Sequence, residues 1–381
     1  MTRASQSERS VKHPRRLIAL LGQKDMPTDG VEDYCTFLGE ALARRGIELK
    51  QVRVDWARHG WIGALRRLWR ESKGWRDSWV LVQYTALSWS RHGFSFPALA
   101  VLAILRRRGA LCAVVFHEPW RQGSPSRWID LMRGACQDWM VRKLHRAAAK
   151  GIFTVPLDIV PWLAHYRATA AFIPIGANVP ERYLAAKYCP GNGTEKTIAI
   201  FCLSLNESRL GEIEDLACAV RYVHEQGLPV RLLVLGKGSE EARQEIEKAL
   251  AGTGVRISVR GLMTAEKVSA TLCEATALLF VHGRVSQLRG SVLAGVACGL
   301  PIVGYSAPLA DIITDEAGVE LAPFRDKKAL GAALLRVLSD DERQARLRAK
   351  NLEVQKKYFS WDVIADGYVE ALSLQSSQLF T

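Results

Sequence analysis

Three stretches of this chain combine side chains suited to binding sugars or phosphates. At positions 117–120 the sequence reads His-Glu-Pro-Trp directly after an apolar run. Histidine donates to a hydroxyl or phosphate, glutamate accepts from hydroxyls, and tryptophan stacks on a sugar ring. Gln83 and Tyr84 end the preceding apolar run and would neighbour His117, Glu118 and Trp120. At 289–291, Arg-Gly-Ser opens a stretch rich in Ala and Gly. A helix N-terminus offers free N–H groups and a favourable dipole to an anion, and guanidinium pairs with phosphate oxygens. Arg289, Gly290 and Ser291 thus form a candidate diphosphate site.

Weaker signals surround these. Arg209, in the segment 204–211, offers a second phosphate partner. Gly236, Lys237 and Gly238 follow an apolar run at the place where a base or ribose would lie. Gly30, in the loop 22–33, lets backbone approach a ligand. Each has a bland counterpart: a structural histidine, a capping amide and a core tyrosine, a solvated Arg or Lys, a plain glycine turn.

These groups need elements that hold them. Short apolar runs at 17–21, 79–84, 111–116, 152–155 and 171–173, then at 197–203, 230–235, 257–260, 277–281 and 301–304, alternate with longer amphipathic stretches. That is the pattern of β-α-β units and parallel sheets covered on both faces. The fold class expected is α/β, with two Rossmann-like doubly wound domains facing a cleft. Ligands bind outside the carboxyl ends of such strands, where the candidate residues fall. The boundaries expected are a basic flexible N-terminus at 1–15, a first domain at 16–188, a Pro/Gly-rich linker at 189–196, a second domain at 197–358 and a C-terminal segment at 359–381.

Composition sharpens the division. The 381 residues carry a net +13; residues 1–195 hold 30 basic and 16 acidic side chains, whereas residues 196–381 hold 22 and 23. Ten of the 11 tryptophans also fall in the first half, Trp361 being the exception. Arg66, Arg67 and Arg70 with Trp61 and Trp69, and the triplet 106–108 beside the apolar run 96–105, suit an anionic membrane surface; a solvated basic face is the alternative. The run 96–105 is about half the ~20 apolar residues that a spanning helix requires. The eight cysteines are scattered, with no Cys-x-x-Cys pair and no histidine at metal spacing. They predict neither a metal site nor a disulfide framework, and most read as small core residues. The polar N-terminus has no apolar stretch of the secretory kind, and the expected location is cytoplasmic, peripheral on the inner face of the plasma membrane.

The ordered set of motifs resembles the glycosyltransferases of the GT-B architecture, specifically the large retaining family four. The resemblance rests on Gly30 and the helix ending at Gly46, on His117-Glu118, on the segment 173–178 (IPIGAN), on Leu235 to Gly238, on Arg289-Gly290-Ser291 through Cys298-Gly299-Leu300-Pro301, and on Phe359-Ser360-Trp361. It implies a second domain that binds a UDP- or GDP-linked sugar as co-substrate, a first domain that binds the acceptor, and a C-terminal helix crossing back to the first domain. It further implies no cofactor or essential metal, catalytic roles for His117, Glu118 and Arg289, and a saccharide or lipid-linked acceptor in polysaccharide or glycolipid biosynthesis. Many relatives carry two glutamates around the phosphate-binding helix, where this chain has Ser286 and Ala294; Ser286 is counted with the donor site. Two other readings share the architecture: a sugar-nucleotide epimerase, and a decayed transferase acting as a scaffold. Nucleic acid is not an expected partner, because no recognised binding module is present.

Overall fold

The computed structural model describes residues 15–26, 28–118, 128–180, 195–309 and 311–374. Residues 1–14, Trp120, the linker residues 189–194 and the last seven residues of the C-terminal segment lie outside the described residues.

The chain divides into two compact units: Met1–Asp25, Cys35–Phe172 and Val369–Thr381 form one, and Met26–Tyr34 with Ile173–Tyr368 the other. The first unit contains β1 (Arg15–Leu21), α1 (Gly30–Ala43, which begins in the second unit), β2 (Ile47–Arg53), α2 (Trp56–Glu71) and β3 (Trp79–Tyr84). It continues with α3 (Pro97–Arg107), β4 (Leu111–Phe116), α4 (Trp128–Ala147), β5 (Lys150–Phe153) and β6 (Ala170–Phe172). Its strands form a parallel sheet in the order β2-β1-β3-β4-β5-β6.

The second unit contains β7 (Lys196–Phe201), α5 (Ser208–Glu225), β8 (Val230–Leu235), α6 (Arg243–Ala249), β9 (Arg256–Val259), α7 (Ala265–Cys273) and β10 (Ala277–Arg284). It ends with α8 (Gly290–Ala297), β11 (Ile302–Tyr305), α9 (Ile312–Glu316), β12 (Val319–Ala322), α10 (Lys327–Ser339), α11 (Asp341–Val354) and α12 (Trp361–Ala371). Its sheet order is β12-β11-β10-β7-β8-β9, again parallel.

Both sheets are doubly wound, as the apolar runs predict. The central strands are buried on both faces: Val80, Leu81 and Val82 in the first sheet, and Ile198, Ala199 and Ile200 in the second. In the second unit one apolar layer lies under α5 and α10, and another under α7 and α8. Helix starts follow local chemistry, with Asp55, Asp326 and Asp340 each accepting from a first-turn N–H.

Trp361 has a structural function. Its indole N–H donates to the Ala177 carbonyl at 2.9 Å, and its ring packs so closely on Gly176 that a Cβ there would lie 2.8 Å from it. This ties α12 to the segment that enters the second unit, and from Val369 the chain belongs to the first.

Candidate functional site

In the second sheet the strand order reverses between β7 and β10, which pair directly although they are far apart in sequence. Ligands of doubly wound sheets bind at such switch points, outside the carboxyl ends of the strands. Three polar groups meet there. The Ser204 amide and hydroxyl donate to the Glu212 carboxylate at 2.8 and 2.5 Å, and His282 Nδ1 lies 2.9 Å from the same carboxylate. The Ser204 hydroxyl is also 3.1 Å from His282 Nδ1. Both partners meet one ring nitrogen, so this is no serine-nucleophile relay. Glu212 orients the imidazole through Nδ1–H and leaves Nε2 for another group. Burial pushes the Glu212 carboxyl up, but hydrogen bonds from His282 and from Ser204 outweigh it, and the group titrates below the ordinary glutamate value.

The end of β10 explains how His282 is aimed. Register with β11 runs to Phe280 opposite Gly304 and resumes at Arg284 opposite Tyr305, leaving Val281, His282 and Gly283 in a bulge. Such bulges redirect side chains beside sites. The strand is therefore longer than the apolar run 277–281 suggested.

Beyond the bulge the chain enters α8 through Arg289, whose backbone is extended and whose side chain makes no cap. The first helical bond runs from Leu293 N–H to the Arg289 carbonyl, so the Gly290, Ser291 and Val292 N–H groups precede the helix ladder. The Arg289 guanidinium curls back toward the bulge: a Cβ on Gly283 would lie 3.5 Å from Nη2. A Cβ on Gly290 would point into open space. Ser286 accepts the Arg289 N–H through its carbonyl, and the Gln287 N–H donates to Asp311 at 2.7 Å, fixing the loop. Gln287 is buried, and neither atom of its side-chain amide has a partner among the described residues.

The other second-unit candidates separate. The Arg209 guanidinium is paired with Glu245 at 3.0 Å, which occupies the charge that the sequence offered to phosphate. Gly236 and Gly238 have φ of +86° and +81°, and a Cβ on Gly238 would collide with the Leu203 carbonyl. These glycines let the loop after β8 lie against the loop after β7, where Leu203 N–H donates to Lys237. Their packing role is independent of any ligand. Gly238→Ala is expected to cost about 1–3 kcal/mol in backbone strain, checked by urea denaturation against the wild type. The Lys237 ammonium lies 3.4 Å from the Met26 carbonyl. Gly30 opens α1, whose cap is Asp29, and its carbonyl accepts from Asn178; a side chain there would meet only an ordinary contact.

In the first unit, the structure brings His117 and Gln83 together: His117 Nε2 is 2.7 Å from Gln83 Oε1. Gln83 is buried and its carbonyl accepts from the Trp89 indole. Tyr84 does not join them. Its ring packs in the core against Phe116, its hydroxyl bonds to Ser95 at 2.6 Å, and burial pushes that hydroxyl up to about 12. Glu118 is exposed beside His117, and Trp120 lies outside the described residues.

Residues 196–340 match the family model described as glycosyl transferases group 1. Over this stretch the second unit is similar to that family. The two sheets are the two Rossmann-like domains of the GT-B fold, and solved structures agree. Sucrose-phosphate synthase from Thermosynechococcus elongatus is 18% identical, with TM-score 0.66, covering 95% of this chain and 100% of that one. Anabaena HepE in complex with UDP is 12% identical, with TM-score 0.64 and the same coverages. S. aureus TarM, solved with Fondaparinux, alpha-GlcNAc-glycerol and UDP, is 13% identical with TM-score 0.58; the match covers 81% of this chain and only 59% of TarM. No curated protein is similar enough in sequence to count as a relative. Ser204, His282 and Gln287 fall in the post-strand segments 204–211 and 282–304 that the sequence singles out, but their individual roles, and that of Glu212, emerge only from the structure.

Proposed function

We propose that the protein transfers a sugar, with retention, from a UDP- or GDP-linked donor to a saccharide or lipid-linked acceptor in polysaccharide or glycolipid biosynthesis, without a metal or cofactor. The observation that carries this reading is the N-terminus of α8. It has no side-chain cap, lies next to the curled-back Arg289, and follows the bulge that holds His282 at the switch point. As the bond from the sugar to the diphosphate breaks, negative charge grows on the departing phosphate. Arg289 and the Gly290 and Ser291 N–H groups stabilise it, the kind of preorganised electrostatics that is often the largest catalytic term. His282, its Nδ1–H held by Glu212, gives the same charge an Nε2–H donor when the ring is protonated. Gln287 offers an amide to the donor, and Lys237 and Ser286 complete the donor set. Arg209 contributes only if it leaves Glu245. His117, which Gln83 steadies, and Glu118 and Trp120 keep the sugar and acceptor roles that the resemblance implies.

A panel of nucleotide diphosphates and nucleotide sugars tests the donor assignment by thermal shift. A donor at one hundred times its Kd adds about 2.7 kcal/mol to a folded state that alone binds it. Stabilisation by UDP or GDP species is expected; a flat panel would remove the donor assignment.

The basic first half fits the same reading as a docking face for anionic lipid. Among the described residues no helix is long and apolar enough to cross a membrane. Arg66, Arg67 and Arg70 are exposed on α2, and Arg108 stacks on the half-exposed Trp69 at 3.7 Å. Trp61 instead stacks inward on Trp56. An apolar stripe that the sequence reading passed over runs along α4: Trp128, Leu131, Met132 and Trp139 are all exposed, with Lys143 over the Trp139 ring. Tryptophan and basic residues on one helix face suit a lipid interface. Liposome flotation is expected to recover the protein with anionic vesicles and not neutral ones, and Trp128→Ala with Trp139→Ala to lower that recovery. Equal, negligible recovery from both vesicle types would discard the membrane face.

A further inference from the structure

We propose that Cys273 and Cys298 form a thiol modification site in which a peroxide converts the pair to a disulfide, a property independent of the sugar-transfer reading. Scattered cysteines suggested only core packing, yet α7 and the end of α8 bring these two together across 25 residues of chain. Cys298 caps the C-terminus of α8, and its sulfur lies 3.8 Å from both the hydroxyl and the carbonyl oxygen of Ser269 on α7. Ser269 and Cys273 are one turn apart on α7, a spacing that stacks side chains on one face about 5–6 Å apart. Cys273 packs against the apolar layer that contains Cys298.

The surroundings give the two sulfurs different tasks. Cys298 is buried, whereas Cys273 is only partly covered. The neighbouring Cys298 thiol is the main reason the Cys273 thiol is lowered to about 7. Burial and Glu274 oppose the lowering, and Arg348 assists it. The Arg348 guanidinium is fixed beside the pair, donating to the carbonyls of Ala275 after α7 and Gly299 after α8. A partly accessible thiolate next to a buried resolving thiol is the arrangement that peroxides oxidise selectively.

The chemistry balances. The Cys273 thiolate attacks one peroxide oxygen, the O–O bond breaks, and the departing hydroxide takes a proton, giving a sulfenic acid and water. The Cys298 sulfur then displaces the sulfenic oxygen, which leaves with the Cys298 proton as a second water. Two electrons pass from the thiols to the peroxide, and the Cys273–Cys298 bond forms.

The test treats the full chain with hydrogen peroxide, alkylates the remaining thiols, digests without reductant and maps the peptides by mass spectrometry. The expected product is a Cys273–Cys298 linked peptide that dithiothreitol releases and that is absent from Cys273→Ser and Cys298→Ser. A second readout does not depend on those variants folding: the pH dependence of Cys273 alkylation in the wild type. Its expected midpoint is about 7, below the ordinary thiol value of about 8.5. Oxidation of Cys273 to a sulfinic acid with no linked peptide, links to other cysteines in equal yield, or an alkylation midpoint at the ordinary thiol value would each overturn the proposal.

Discussion

Arg289→Ala is expected to lower sugar-transfer turnover about 100-fold or more, the scale on which loss of one preorganised donor acts. The effect is local. The Arg289 side chain is exposed and makes no helix cap, so its removal leaves α8 and the underlying apolar layer in place. It takes away the guanidinium that lies against the β10 bulge, where the departing diphosphate is assigned. Arg289→Lys should recover only part of the rate, because an ammonium supplies a point charge without the paired N–H geometry of guanidinium. Turnover is measured with the donor that the thermal-shift panel identifies, and circular dichroism confirms the fold. Transfer near the wild-type rate in Arg289→Ala would remove this residue from the mechanism.

The largest stability effect is expected at Glu212. Its carboxylate accepts from the Ser204 amide, the Ser204 hydroxyl and His282 while itself buried. Replacing it by Ala leaves the buried Ser204 amide unsatisfied and takes the carboxylate away from the Ser204 hydroxyl and the imidazole, a change expected to cost about 3–5 kcal/mol. Glu212→Gln retains an acceptor and should cost less. The pH dependence has a definite sign. The folded-state value lies below the ordinary one, so this contribution is complete above the unfolded-state value and is lost as pH falls through the folded-state value. The stability gap between wild type and Glu212→Gln, measured by urea denaturation, should therefore narrow in acid. A gap that stays constant from neutral to acidic pH would show that the carboxylate charge contributes nothing.

The parts of this molecule that are legible in sequence are those encoded by neighbours in the chain. Ten strands announce themselves as continuous apolar runs because both faces of a parallel sheet are covered. The two that do not, β2 and β12, are edge strands with partly exposed, alternating residues such as Glu48, Lys50, Gln51 and Glu320. Arg289-Gly290-Ser291 is readable for the same reason, since a helix start is a local event. The Glu212 network is not, because Ser204 and His282 stand 78 residues apart and meet only when β7 and β10 pair. Glu212 directly precedes an amphipathic run and reads as a solvated helix-start carboxylate. Nothing in the residue types announces the bulge that turns His282, or the buried amide of Gln287. Conversely, Gly236 and Gly238 are visible as a ligand-loop pattern, yet the contact of two loops already requires them. Tyr84 is visible beside Gln83, yet strand alternation sends its ring into the core.

The excess positive charge of the first half is separable from the transfer site. The second half is close to neutral, with 22 basic and 23 acidic residues, and its candidate site uses one aimed guanidinium, a helix N-terminus and an oriented imidazole. Screening by salt should weaken vesicle binding of the basic face, since exposed charges lose most to salt.

On the proposed function, the second unit binds a nucleotide diphosphate at the start of α8, beside the bulge of β10. Isothermal titration calorimetry of UDP and GDP against the wild type and Arg289→Ala tests it most directly. One site per chain is expected for at least one of the two nucleotides, with affinity lowered about tenfold or more in the variant, the effect of losing a charge-assisted hydrogen bond. Equal affinity in both proteins, or no heat of binding from either nucleotide with the folded wild type, would contradict it.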